Sequence, residues 1–233
     1  MQFPYGLVVD AIVIIAGATI GIKFGKYISE TMKNTLTCMF GLICFALGVS
    51  LIVKVNALVP VALAVILGTA IGEVLNLEDK VAGTLKKVQD RISKGHGAEM
   101  EKVNGVLTLV PLFCFSTTVI VGGMNEAFGS HEMLFVKSVL DFFTAMIFAA
   151  NFGILVGLLC IPMLIVGMFF YCLSSVLMPV MTPTVIADMN ATGGIHCVAC
   201  ALGVLGIKKL RVINMTIALV LIIPLSILWS III

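Results

Sequence analysis

Residues 37–54, TCMFGLICFALGVSLIVK, recur at a constant offset of 155 as residues 192–209, TGGIHCVACALGVLGIKK. Seven of the 18 positions are identical: Thr37/Thr192, the block Ala46-Leu47-Gly48-Val49 against Ala201-Leu202-Gly203-Val204, Ile52/Ile207 and Lys54/Lys209. A duplicated apolar unit is the sequence trace of two related halves packed face to face, an architecture that recurs in transporters.

The chain on either side of these copies is of the same kind. Of its 233 residues, 61% are hydrophobic and 11% charged, and the mean hydropathy is +1.20. One soluble core could not hide that much apolar surface, and the runs approach the ~20 residues that cross a bilayer. The composition therefore reads as an all-α, polytopic transmembrane helical bundle of about 8 spans, at roughly 6–25, 36–53, 57–75, 105–123, 133–156, 158–180, 192–207 and 212–232. The start, Met1-Gln2-Phe3-Pro4-Tyr5, has no basic n-region and Asp10 interrupts the first apolar run, so the first span is expected to persist.

Charge sets the expected orientation. Of the 14 Lys and Arg, twelve fall on one side of an eight-span arrangement: Lys23, Lys26, Lys33, Lys80, Lys86, Lys87, Arg91, Lys94, Lys102, Lys208, Lys209 and Arg211. Lys54 and Lys137 fall opposite. The positive-inside rule places the twelve in the cytoplasm and both termini outside. Residues 106–123, with Pro111, Ser116, Thr117 and Thr118, could instead form a re-entrant loop, but that would put the Lys208-Lys209-Leu210-Arg211 cluster outside. With eight crossings, spans two and seven run in opposite directions and the duplication is an inverted repeat.

The chain then divides into an N-terminal repeat half (1–75), a cytoplasmic amphipathic helix and loop (76–104), a linking span (105–132) and a C-terminal repeat half with one extra span (133–233). In the amphipathic helix Leu77, Val81, Leu85, Val88 and Ile92 recur at helical period, with Lys80, Lys86, Lys87, Asp90 and Arg91 on other faces. Ser93-Lys94-Gly95-His96-Gly97 ends it with turn chemistry, which makes His96 a loop residue. Gly17, Gly21 and Gly25, and the pairs Gly68/Gly72 and Gly153/Gly157, have GxxxG spacing. Such glycines let helix backbones approach, chiefly within one bundle, and leave room for a homo-oligomer.

Four acids lie in or beside apolar runs: Asp10, Glu73, Asp141 and Asp188. An uncompensated carboxylate at mid-membrane costs at least ~2.5 kcal/mol, so each needs a partner or a purpose. Glu73, next to Glu78 and Asp79 at the end of span three, suits an interfacial role. Asp10 and Asp141 lie deeper, and Lys137, four residues before Asp141, can pair with it on one helix face.

The stretch from Thr182 to Asn214, TPTVIADMNATGGIHCVACALGVLGIKKLRVIN, offers a second set of candidates. Thr182-Pro183 reads as an N-cap and first helical position. Ala191-Thr192-Gly193-Gly194 then predicts a broken helix, with oxygens of Asp188, Asn190 and Thr192 for a cation, or amides after Thr192 opening a helix N-terminus for an anion. His196-Cys197-x-x-Cys200 has a single CxxC, too little for a metal site, and the seven cysteines read better as buried small hydrophobes than as disulfides. No nucleophile elbow, P-loop, dinucleotide fingerprint or HExxH helix is present, so neither an enzyme nor a bound cofactor is expected.

Three segments together, Lys137-Ser138-Val139-Leu140-Asp141-Phe142, Ala191-Thr192-Gly193-Gly194 and Leu205 to Met215, are similar to the YdfK/YqgA-like bacterial membrane proteins, a family of unknown function. Ala16-Gly17-Ala18-Thr19-Ile20-Gly21 and the segment from Gly68 to Asp79 fit the same pattern, so the resemblance spans the chain. It implies a polytopic inner-membrane protein and marks Asp141, Thr192, Gly193, Gly194, Lys208, Lys209 and Asn214. This chain departs from the pattern at Asp10, where asparagine is expected in relatives, and at His196, Cys197 and Cys200. The functional expectation is a transporter or permease for a small solute or ion, with candidate ligands Asp10, Asp141, Asp188, Asn190, Thr192, Gly193, Gly194 and Asn214. The alternative is a structural or interaction protein of the membrane. The lipid bilayer is the expected partner in either case, and nothing points to nucleic acid.

Overall fold

The computed structural model describes residues 3–25, 27, 29–92 and 100–232, and every described secondary-structure element is helical. In chain order these are α1 (Tyr5–Phe24), α2 (Glu30–Ile52), α3 (Leu58–Leu75), α4 (Leu77–Ile92), α5 (Met100–Cys114), α6 (Thr117–Glu126), α7 (Glu132–Phe152), α8 (Ile154–Gly157), α9 (Cys160–Leu177), α10 (Pro183–Val204) and α11 (Ala218–Ile232). Short 3-10 turns at Met178–Val180 and Asn214–Ile217 precede α10 and α11. Among the described residues, seven stretches are long and apolar enough to cross a membrane, and Thr37–Ile52, the end of α2, is a shorter apolar one. The turn expected at Ser93 to Gly97, with His96, lies outside the described residues.

Over part of α7 burial runs opposite to that of a water-soluble helix. Along α7 the side chains turned outward are Val136, Val139, Leu140 and Phe143, while Lys137, Ser138, Asp141 and Thr144 are buried. Lipid solvates the apolar face, and the polar groups must find partners inside.

The chain forms two compact units, Met1–Phe40 with Lys80–Ser174 and Gly41–Asp79 with Ser175–Ile233. They interleave along the sequence and so differ from the contiguous halves read from the repeat. In the first, α1 packs along α7 in parallel: a Cβ on Gly17 would strike the Phe142 carbonyl, on Gly21 that of Met146, and on Gly25 would reach Ala150. The segment from Gly105 to Glu126 crosses this unit completely. Gly105 lies against Phe152 at the C-terminal end of α7, and Gly122 against Leu134 near its start. It therefore runs antiparallel to α7 over most of that helix's length, interrupted at Phe115 and restarted by Ser116, whose Oγ accepts from Val119 N.

In the second unit, Gly68 meets Ala218 and Gly72 meets Asn214, so α3 and the last span are antiparallel. The later part of α2 and α10 are antiparallel as well, with Gly41 against Leu205 and Ile52 against Gly194. The two copies of the repeat thus oppose each other, and this pairing is centred at Phe45-Ala46 and Cys200-Ala201, where the shared Ala-Leu-Gly-Val block begins. The same offset of 155 carries α1 to positions 160–179, against α9 at Cys160–Leu177, and α3 to 213–230, against Asn214–Ile232.

One expectation is corrected. The helix expected to break at Thr192-Gly193-Gly194 is continuous from Pro183 to Val204. Those glycines serve close approach instead: a Cβ on Gly194 would lie 2.6 Å from Gly48 O and 2.9 Å from Ile52. Packing of this kind outweighs a glycine's helix penalty of about 1 kcal/mol. The Gly17/Gly21 and Gly68/Gly72 faces are likewise occupied within the chain, while Gly153 has nothing within 4 Å of an added Cβ.

Candidate functional site

In the first unit, α1 contributes Asp10 and α7 contributes Lys137, Ser138 and Asp141, all buried. The Lys137 ammonium pairs with Asp141, one turn further along α7, and stands 3.2 Å from Asp10 Oδ2. The Phe113 ring of α5 lies 5.9 Å from the same nitrogen. Asp141 is about 14 Å into a helix of about 31 Å, close to its middle. Asp10 is fully buried, and its Oδ1 has no hydrogen-bond partner. Two carboxylates therefore face one ammonium, so with both ionised the cluster carries one negative charge more than its ammonium balances. The sequence announced the Lys137–Asp141 pair through its spacing. The contact to Asp10, 127 positions away, is made by the fold, and it explains why Lys137 stood apart in the loop-charge count: it is a buried ion.

A residue missed by the sequence reading sits at the start of α1. That helix begins after Pro4 with no side-chain cap, and buried Glu126, the last residue of α6, supplies the acceptor: Gly6 N donates to Glu126 Oε1 at 2.8 Å. His131 Nδ1 is 2.6 Å from the same oxygen, and Glu126 Oε2 is buried without a hydrogen-bond partner. Glu126 fell between the predicted spans that end at 123 and start at 133. An α1 start without its own cap was the available signal.

The candidates of the second unit do not form one site. Asp188 Oδ1 accepts from the backbone N–H groups of Asn56 and Ala57 at 3.0 and 2.7 Å, and Ser226 donates to Oδ2 at 2.6 Å. It is the missing cap of α3, a carboxylate at a helix N-terminus. Asn214 Oδ1 accepts from Glu78 N at 2.8 Å and so caps α4. Asp188 and Asn214 thus lie at opposite ends of α3, about 27 Å apart. Thr192 donates to Asp188 O at 2.9 Å inside the continuous helix. Asn190 is half-buried, and Gly193 and Gly194 are buried helical residues whose amides open no helix terminus.

At the C-terminal end of α3, Arg211 pairs with Glu73 Oε2 at 2.8 Å and Asp79 Oδ2 at 2.5 Å. Asn76, in the left-handed region at φ 49°, turns the chain from α3 into α4. Beside it Glu78 is buried, and desolvation raises its carboxyl above the ordinary glutamate value. His196, Cys200 and Cys44 are buried, and among the described residues no group of three or more His, Cys, Asp or Glu is placed to hold a metal ion.

Comparison with known proteins follows this geometry. Residues 5–227 match the family described as "Protein of unknown function (DUF554)". The chain is 36% identical over 228 residues to the "Uncharacterized protein YqgA" of Escherichia coli (strain K12), covering 97% of each chain. It is 28% identical over 218 residues to the "Uncharacterized membrane protein YdfK" of Bacillus subtilis (strain 168), covering 91% of this chain and 90% of that one. No solved structure matches. With apolar helices throughout and a match over nearly its whole length, the chain is a membrane protein and belongs to the DUF554 family.

Proposed function

We propose that the protein is a transporter or permease for a small solute or ion, working at the Asp10–Lys137–Asp141 cluster, in a bacterial plasma membrane with its basic loops cytoplasmic. One observation carries the reading: a buried ion cluster whose charges do not balance, held between membrane helices. Desolvating each ion costs several kcal/mol, and well-packed apolar residues would often serve stability as well or better. Intramembrane ionisable groups of this kind mark ion or substrate pathways. The opposed repeat copies support the same reading, since inverted repeats frame the sites of many carriers. The proposal is of a carrier and not of an enzyme.

Purified protein in liposomes tests it. Wild type and Asp188→Asn are expected to pass at least one small ion or solute in a flux screen, and Asp141→Asn to lose that flux by tenfold or more. If Asp141→Asn behaves like wild type, the cluster is not the site. The alternative, a non-transporting structural or interaction protein, is favoured by the capping roles of Asp188 and Asn214. It expects substitution of the exposed Lys86 and Lys87 to abolish lipid or partner binding while Asp141→Asn changes nothing.

A further inference from the structure

We propose that Asp10 binds one monovalent cation, a proton or an alkali-metal ion, which reaches it from the His131 end of the bundle past Glu126; this deepens the transport reading and rests on it. The argument is a charge count. Two buried carboxylates face one ammonium, so one monovalent cation balances the cluster, a divalent one overshoots by a unit, and an anion doubles the deficit. Of the two carboxylates, Asp141 holds Lys137 along its own helix, four residues apart, and keeps it however α1 and α7 shift. Asp10 meets the ammonium across the helix interface at 3.2 Å, and its buried Oδ1 has no hydrogen-bond partner. Ser138, whose hydroxyl donates to Leu134 O, also stands within hydrogen-bond reach of the Asp10 carboxyl. When a cation occupies Asp10, Lys137 retains Asp141 and the Phe113 face.

The route follows from one helix face. Gly6 and Asp10 are four residues apart on α1, hence on the same face and about 6 Å apart along the axis. Glu126 holds Gly6 N through Oε1, and its Oε2 is buried without a hydrogen-bond partner. His131, with a side chain 24% exposed, touches Glu126 from the outer side. From His131 through Glu126 to Asp10, acceptors therefore step inward along α1. In the other direction Gly17 and Gly21 close α1 backbone-to-backbone on Phe142 and Met146. The titratable groups around Asp10 are Lys137 and Asp141 on α7 and Cys114 on α5, which is within electrostatic range of both carboxylates and of Cys160 on α9. One turn outward come Glu126 and His131.

Thermal unfolding of the full chain in detergent, in sodium, potassium or choline chloride at constant ionic strength and across pH, counts the cations taken up on folding. The charge arithmetic expects Asp10→Asn to take up one cation fewer than wild type and Lys137→Met one more, with Glu78 contributing equally to all three. Above the dissociation constant, a tenfold rise in the cation then stabilises wild type by about 1.4 kcal/mol. Dependence on pH alone assigns the proton, and dependence on sodium or potassium assigns the metal ion. His131→Asn must keep the wild-type count, and Glu126→Gln must keep it while slowing cation uptake into liposomes. Wild type with no dependence on either cation, Asp10→Asn that keeps it, or His131→Asn that loses it overturns the proposal. If Asp10→Asn does not fold, the count of Lys137→Met against wild type decides. Flux on the same preparations separates the two claims: linkage without flux leaves the cation site and removes transport, and flux without linkage does the reverse.

Discussion

Replacing Gly21 by alanine should destabilise the first unit more than its single methyl group suggests. An ideal Cβ there would lie 2.9 Å from the Met146 carbonyl carbon and 3.1 Å from its Cα, and closer still to the carbonyl oxygen, where ordinary contact begins at 3.4 Å. The obstacle is α7 backbone, which cannot rotate away as a flexible side chain would. The helices must part by roughly 0.5–1 Å, a gap that forfeits about a quarter to a half of each affected contact's dispersion energy. Membrane helices have little hydrophobic force to draw them together, so that loss is not recovered from lipid. Overpacking of this kind costs typically ~1–3 kcal/mol, and the backbone contact puts Gly21→Ala at the upper end. Gly83 is the internal control: it is helical and exposed, with nothing within 4 Å of an added Cβ. Gly83→Ala should therefore stabilise by roughly 0.5–1 kcal/mol from helix propensity alone. Equilibrium unfolding in mixed micelles measures both. Gly21→Ala within about 0.5 kcal/mol of wild type would refute the backbone-contact account of α1 on α7.

Three further outcomes are expected. Asp188→Ala leaves Asn56 N, Ala57 N and Ser226 without their acceptor and should cost about 1–3 kcal/mol in the same unfolding assay, while Asp188→Asn, which keeps an acceptor oxygen, should recover most of it. Glu78 has its folded value raised by burial, so ionisation opposes folding as pH rises above the ordinary 4.5. Glu78→Gln should then be more stable than wild type at neutral and alkaline pH, and the difference should vanish below that value; a gap that widens toward acid pH would contradict the sign. Lys54 and Lys86 are both exposed and separated by the single crossing α3, so Lys54→Cys and Lys86→Cys in sealed vesicles should react with an impermeant thiol reagent from opposite faces.

Apolar length was the most legible property of this chain, because a bilayer demands it from every crossing segment independently of partners. The eight predicted stretches all fall on helices, with α2 and α5 beginning five or six residues earlier than predicted and the predicted break hiding the first turns of α10. Glycine pairs were ambiguous for a physical reason: the missing side chain that weakens a helix at Gly193-Gly194 also lets it touch Gly48, and only the neighbouring helix decides between the two. Polar residues were ambiguous in the same way. Asp188 and Asn214 offered oxygens that could serve a ligand or a helix end, and here the nearest unsatisfied groups are the first amides of α3 and α4. The Lys137–Asp141 pair was legible since it is local, while Asp10 and Glu126 acquired partners only through α1 packing on its neighbours.

That sorting bears on where function resides. Asp188, Asn214 and the Oε1 atom of Glu126 each answer a demand of the fold, an uncapped helix start that lipid cannot satisfy. Removing any of them would leave a backbone donor stranded, and that alone accounts for their burial. The Asp10–Lys137–Asp141 cluster answers no such demand: no helix begins there, and α1 and α7 are already held by glycine contacts further along. The repeat that first suggested a carrier lies mostly in the second unit, where its copies cross at packing residues and caps. The Asp10–Lys137–Asp141 cluster lies in the first unit, on helices outside the duplicated stretch. A scaffold of opposed helices in one unit and an unbalanced charge in the other are separable features, so variants of Gly48 or Gly194 should change stability, and variants of Asp10 or Asp141 should change ion dependence.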